Sequence, residues 1–113
     1  MAAFAPTNDP DLSAIGAALK TGLKSFQEAT DWLLVNSDGN PREAAAGAVP
    51  YLKLTGVVAG GWQMARAARI ARDLTQAGGN GSAFMRGKIA TSRFYAEHVL
   101  PEAEAWRLSL IHI

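Results

Sequence analysis

The stretch Asn40–Arg72, NPREAAAGAVPYLKLTGVVAGGWQMARAARIAR, decides the fold. It reads as one long helix built mainly of small residues. The Asn40-Pro41-Arg42-Glu43 start supplies a cap, a first-turn proline and a glutamate able to reach back to the cap. A wall of alanine and glycine lets neighbouring backbones approach closely, so this is a helix made to be packed against. It carries no thiol, no histidine and no paired carboxylates. The chain therefore reads as an assembly module without chemistry of its own. Its interior proline, Pro50, removes a backbone donor and crowds the carbonyl of Ala46, which predicts a kink or an offset in the early turns.

Two further helices flank it. Asp9 and Pro10 form a cap and a first helical position. From there Leu12, Ile15, Leu19, Leu23, Phe26, Thr30 and Leu33 recur by steps of three and four, one buried stripe on one helix. That pattern stops at Asn36-Ser37-Asp38-Gly39-Asn40, a cluster of turn formers. The central helix ends at Gly78-Gly79-Asn80-Gly81, where Ser82 can cap a third. Met85, Ile89, Ser92, Ala96, Val99, Ala103 and Trp106 give this third helix its stripe, with Pro101 bending the last turns. No segment alternates with period two, so strands are not expected. Short connectors make consecutive helices antiparallel. The prediction is an all-α, up-down-up three-helix bundle with a proline-kinked long middle helix and crossing angles of about 20°.

At 113 residues the chain has room for one domain, taken as residues 1–113, with 1–8 as a disordered lead. With no cysteine, disulfides and thiolate metal sites are excluded, which fits a reducing compartment. Eleven basic and ten acidic residues leave a net charge of +1, so no field draws the chain to nucleic acid or an anionic membrane. The N-terminus MAAFAPTNDPDLS lacks the basic and apolar regions of a secretory signal, and a cytoplasmic location is expected. The apolar run from Ala44 to Trp62 is nearly long enough to span a bilayer. Lys53 in its middle, Pro50 and the abundance of Ala and Gly argue against a membrane span.

The middle helix has more apolar surface than one seam needs, because Tyr51, Leu52, Leu54, Val57, Val58, Trp62 and Met64 are spread around its circumference. Such a surplus marks an interface with another domain or subunit, the alternative being burial inside the bundle. Gly56 and Gly60 lie four apart on one face and invite a close helix approach. Trp62, beside Gly60-Gly61, either caps a helix crossing or projects into a neighbouring domain. Gly56, Gly60 and Trp62 are thus the candidate interface residues. Trp32 and Trp106 read as core filling.

No catalytic, cofactor-binding or metal-binding residue is expected in the chain. His98 and Glu102 stand one turn apart, two ligands where a zinc site needs three or four. The run from Gly78 to Ser82 precedes a helix, but no strand comes before it as a nucleotide-binding turn requires. Arg66, Arg69 and Arg72 step by three and spread over a broad solvated face, although with Arg86 and Arg93 they could collect phosphate. There is no Gly-x-Ser-x-Gly turn to support a hydrolase.

Three separated segments carry a family resemblance. Glu28-Ala29-Thr30-Asp31-Trp32-Leu33-Leu34, then Ala48 to Trp62 (AVPYLKLTGVVAGGW), then Lys88 to Pro101 (KIATSRFYAEHVLP) together resemble the extra C-terminal domain of a subset of acyl-CoA dehydrogenases. That subset includes bacterial enzymes acting on thioesters such as methylmercaptopropionyl-CoA. The resemblance covers almost the whole chain. It implies a parent enzyme that binds FAD, removes the α-proton of an acyl-CoA with a glutamate and passes the β-hydride to flavin. The residues for those steps lie in the preceding core of the family, so the chain looks like a fragment lacking the flavoprotein core. Met1 reads as an internal methionine. The tail Leu108-Ser109-Leu110-Ile111-His112-Ile113 resembles translated sequencing adapter and is expected to be non-native.

The function implied is a non-catalytic helical domain that packs on the core of an FAD-dependent acyl-CoA dehydrogenase and supports assembly of a homo-oligomer. The alternative is a free-standing binding module whose arginine face takes an anionic partner. The parent is expected to take part in fatty acid metabolism.

Overall fold

The computed structural model describes residues 9–36, 39, 41–76 and 82–112, with every side chain among them except those of residues 43, 44 and 82. The described residues form five helices and no strand: α1 (Pro10–Asn36), α2 (Pro41–Ala46), α3 (Ala48–Gln76), α4 (Ser82–His98) and α5 (Glu102–Ile111). The lead 1–8, the glycine connector before Ser82, the box formed by Asn40 and Glu43 and most of the turn after Asn36 fall outside them.

Asp9 starts α1 as its sequence position suggests. Its Oδ1 accepts from the backbone N–H of Asp11 at 2.9 Å and of Leu12 at 3.2 Å, which satisfies two amides that have no helical partner. The segment read as one middle helix is two, α2 and α3, separated at Gly47. The break has a simple cause. Restarting at Ala48 places Pro50 in the first turn of α3, where an N–H would have no acceptor within the helix. The first α3 bond then runs from Tyr51 N–H to the Gly47 carbonyl at 3.0 Å.

The third helix is likewise divided, into α4 and α5, at Val99-Leu100-Pro101. Pro101 cannot donate to the carbonyl one turn back, so the helical ladder opens there. Both Val99 and Leu100 donate to the Tyr95 carbonyl, at 2.8 and 2.9 Å, and three successive bonds of the tighter i to i−3 kind then lead into α5. This local rearrangement turns Leu100 inward, to 2% exposure.

Side-chain pairings give the directions. Arg72 at the end of α3 meets Asp11 at the start of α1 at 3.0 Å, whereas Thr30 near the end of α1 meets Tyr51 at the start of α3 at 2.7 Å. These two helices run in opposite senses. Arg93 of α4 reaches Asp11 at 2.8 Å, and Ser25 of α1 donates to Glu104 of α5 at 3.2 Å. α4 and α5 therefore follow each other along α1 in its own direction.

The interior is built in two parts along the rod. Leu12, Ile15 and Leu19 of α1 pack with Ala65, Ala68 and Ala71 of α3 and with Ile89, Ala96 and Leu100. Further along, Ala29, Leu54, Val58, Ala103 and Leu110 are buried, with Trp32 and Trp106 at their edge. The α1 stripe departs from its reading in the second half. Gly22, Ser25 and Ala29 are the buried positions, while Leu23, Phe26, Thr30 and Leu33 are half-buried beside them. Small residues stand there because α5 and the α4–α5 junction come close, and a larger side chain would hold them off. Phe26 instead stacks on Tyr51, with ring centroids 5.4 Å apart.

Candidate interface

The glycines of α3 serve three different purposes. The buried positions Leu54, Val58, Gly61, Ala65 and Ala68 continue one another by steps of three and four, so Gly61 belongs to the seam that faces the interior. A Cβ placed on Gly61 would stand 2.6 Å from Leu100 Cδ2 and 2.9 Å from Cδ1, and one on Gly22 would stand 3.2 Å from that same Cδ2. Leu100 thus fills a notch made by two glycines on two helices. Gly60 faces α4. A Cβ on it would collide with the Tyr95 hydroxyl and lie 3.1 Å from Tyr95 Cζ. The Tyr95 hydroxyl donates to the Val57 carbonyl at 2.8 Å, which pins the ring over Gly60. Burial, and secondarily the Glu102 carboxylate, push the Tyr95 pKa above its ordinary value. Gly56 is exposed, with open space where a Cβ would stand.

Of the three residues singled out in the sequence, only Gly56 therefore presents an unoccupied surface. Gly60 makes its close approach within the chain. Trp62 is half-buried against the first core cluster, and the guanidinium of Arg66 lies over its ring at 4.9 Å. Gly22, Gly61, Tyr95 and Leu100 were not identified by periodicity, although the Leu54–Val58–Gly61 stepping and the proline after Leu100 both carry the signal. The tail is also placed: Leu110 has no exposed surface and Ile111 packs on the second cluster.

The arginines are distributed among separate contacts. Arg72 Nε lies 2.6 Å from Asp9 Oδ2, an ion contact that lacks the alignment of a hydrogen bond, and its Nη2 bonds Asp11. Arg93 bonds Asp11 at 2.8 Å and Glu97 at 2.6 Å. Arg69 is 3.9 Å from Asp73. Arg107 joins Glu104 at 2.5 Å and Glu28 at 3.3 Å. The bond from Arg107 holds the Glu104 carboxyl below its usual range. Arg69, Arg72, Arg93 and Arg107 thus each face a carboxylate of the same chain.

His98 stacks against Phe94, with centroids 4.5 Å apart, and among the described residues no three His, Asp or Glu side chains converge as a metal site requires. A surface recess of about 200 Å³ is bordered by Asp11, Arg72, Arg86, Ile89 and Ala90, and another by Lys20, Lys24 and Gln27. Both are open to solvent, and neither has the enclosed shape that an isoalloxazine ring or an adenine needs. None of the helices among the described residues is long and apolar enough to cross a membrane.

Against this geometry stand the similarities to known proteins. A family model described as acetyl-CoA dehydrogenase C-terminal like matches residues 1–112. The 3-methylmercaptopropionyl-CoA dehydrogenase of Ruegeria pomeroyi (strain ATCC 700808 / DSM 15171 / DSS-3) is 37% identical over 91 residues. That alignment takes in 80% of this chain and spans 15% of the length of the relative. No solved structure shows a significant match.

Proposed function

The chain belongs to the acetyl-CoA dehydrogenase C-terminal-like family, and on that premise we propose that it is a non-catalytic helical domain that packs on the core of an FAD-dependent acyl-CoA dehydrogenase and supports its subunit assembly. The observation that carries the reading is the match over almost the whole chain, to a region that makes up a small part of a much longer dehydrogenase. The exposed apolar side chains Leu34, Val35, Val49, Leu52, Ile70 and Leu74 support it, because a lone domain gains nothing from showing them to water.

In this reading residues 1–113 are one domain, an up-down-up antiparallel bundle in which α2 with α3, and α4 with α5, act as single rods. The middle rod is offset between Gly47 and Pro50. FAD, when bound, would supply the hydride acceptor, and it would be held by the preceding core together with the base and the acyl-CoA. The residues of this chain contribute surface: Gly56 stays open to a neighbour, while Trp62 fixes Arg66 beside it. The parent enzyme is placed in the cytoplasm, in keeping with a chain free of cysteine. Substrates of the class named by the relative are thioesters of CoA. The alternative of an arginine face for an anionic partner has less support, since Arg72 and Arg93 already face carboxylates of the same chain.

Co-expression tests the proposal. An acyl-CoA dehydrogenase core of this family, produced without its own C-terminal region, should copurify with the chain and melt at a higher temperature in its presence, with all flavin absorbance following the core. A core that ignores the chain in both measurements would refute it.

A further inference from the structure

α3 carries a second stripe, on the side opposite its buried seam. It runs from Val49 to Leu74 by steps of three and four, a helical period sustained for about 38 Å at 1.5 Å per residue. The stripe contains no charged residue. Large side chains hold both ends, with Val49 62% and Leu52 69% exposed at one, Ile70 54% and Leu74 47% at the other. Between them come Gly56 and Ala59, both exposed, followed by Gln63 and Ala67.

This order reads nearly the same in both directions. Turned end for end about a point between Ala59 and Gln63, large apolar residues fall on large ones and Gly56 on Ala67, while at the centre Ala59 falls on the flexible amide side chain of Gln63. That is the self-complementary pattern of a two-fold interface. Two helices crossing where Gly56, Ala59 and Ala67 leave room can approach closely, with the Gln63 side chain lying along the crossing, and the larger side chains then fill the space where the helices diverge.

We propose that the outer stripe of α3 pairs antiparallel with the same stripe of a second copy of this chain. Val49 then lies opposite the partner's Leu74, and Gly56 opposite the partner's Ala67. No like charges meet, because the stripe has none. The contact covers about 400 Å² on each copy, from a helix length of about 38 Å and a width of about 10 Å. Its total, about 800 Å², is below the roughly 1,200 Å² of a stable complex, so the isolated chain forms a weak dimer. In the larger enzyme the same contact is reinforced by subunits that already adjoin. The inference gives the proposed assembly role its surface and rests on that reading only for its place in the parent.

Sedimentation of the chain from about 1 μM to 1 mM should show a reversible monomer–dimer equilibrium. Ala59→Glu, at the centre of the stripe and exposed in the monomer, should weaken the association at least tenfold without changing the melting temperature. Phe84→Glu, equally exposed but on α4, should leave it unaltered. The natural chain is free of cysteine, which permits a second measurement. Gln63→Cys lies close enough to the two-fold axis to form a disulfide dimer under mild oxidation, whereas Thr91→Cys on α4 should not. A strict monomer at 1 mM, equal effects of Ala59→Glu and Phe84→Glu, or equal cross-linking at Gln63→Cys and Thr91→Cys would each overturn the pairing. Those results leave copurification with a dehydrogenase core untouched, so the two readings fail separately.

Discussion

A single methyl group separates the roles of the glycines in α3. Glycine inside a helix costs roughly 0.5–1 kcal/mol relative to alanine. At Gly56 a methyl group meets nothing, so Gly56→Ala should raise the stability of the chain by about that amount in a urea or thermal melt. At Gly61 the same group meets three atoms of Leu100, and Gly61→Ala should lower stability by about 1–3 kcal/mol, the range for overpacking. Gly60→Leu should also destabilise by about 1–3 kcal/mol, since Tyr95 is tied to the Val57 carbonyl and must leave. If the Gly56 and Gly61 variants shift the melt equally, the division into an open and an occupied face is wrong. Tyr95 offers a spectroscopic check. Its raised pKa means that the folded chain holds it neutral, and stability from this group is lost only as pH climbs through the folded value. Absorbance at the phenolate band should therefore show a tyrosine titrating above its ordinary value, and Tyr95→Phe should remove that component.

The break between α4 and α5 is the element on which the fold turns. It aims Leu100 at Gly22 and Gly61, and it brings α5 alongside α1 so that Arg107 can reach Glu28 and Glu104 can accept from Ser25. The lowered pKa of Glu104 gives this junction a pH signature. A carboxylate whose folded pKa is depressed contributes stability above its unfolded value, about 4.3, and loses it as pH falls through the folded one. Glu104→Gln should thus be less stable than the natural chain at neutral pH, and the two urea midpoints should converge at acid pH; parallel curves would exclude the linkage. Helix type, the Asp9 cap, the first half of the α1 seam and the α4 seam were legible because apolar spacing and capping chemistry are local. The prolines marked both interruptions. What could not be read was how far the chain would rotate at each. Leu100 falls between periodic positions until the loss of one helical bond before Pro101 turns it inward. Gly22, Ser25 and Ala29 carry almost no hydrophobic signal, yet they are buried because other helices come close to them. Gly56 and Gly60, four apart, look alike in the sequence but differ in what lies across from them, and only tertiary contacts decide that.

Taken whole, the molecule is a rod of 57 × 21 × 15 Å with a radius of gyration of 16.6 Å, against about 13 Å for a compact chain of this length. A thin body buries little. Alanine makes up much of its interior, and among the described residues Ile15, Leu54 and Leu110 are the largest apolar side chains that are fully enclosed. Surface for contact with other bodies is correspondingly large. At one end Asp9, Asp11, Arg72, Arg93 and Glu97 tie α1, α3 and α4 together. These groups are partly exposed, so Asp11→Asn should cost about 1 kcal/mol or less, with the difference shrinking in 1 M salt. A loss that is insensitive to salt would mean that packing, not charge, holds this end. The Leu100 notch also sets an order of events during synthesis. Once α1 and α3, which end at residue 76, have left the ribosome, a helical hairpin closes within microseconds to milliseconds. Leu100 follows 24 residues later, about 1–5 s at ordinary elongation rates. For that interval the groove between Gly22 and Gly61 has no plug, and the nascent hairpin waits with an apolar notch still open to any chaperone that arrives first.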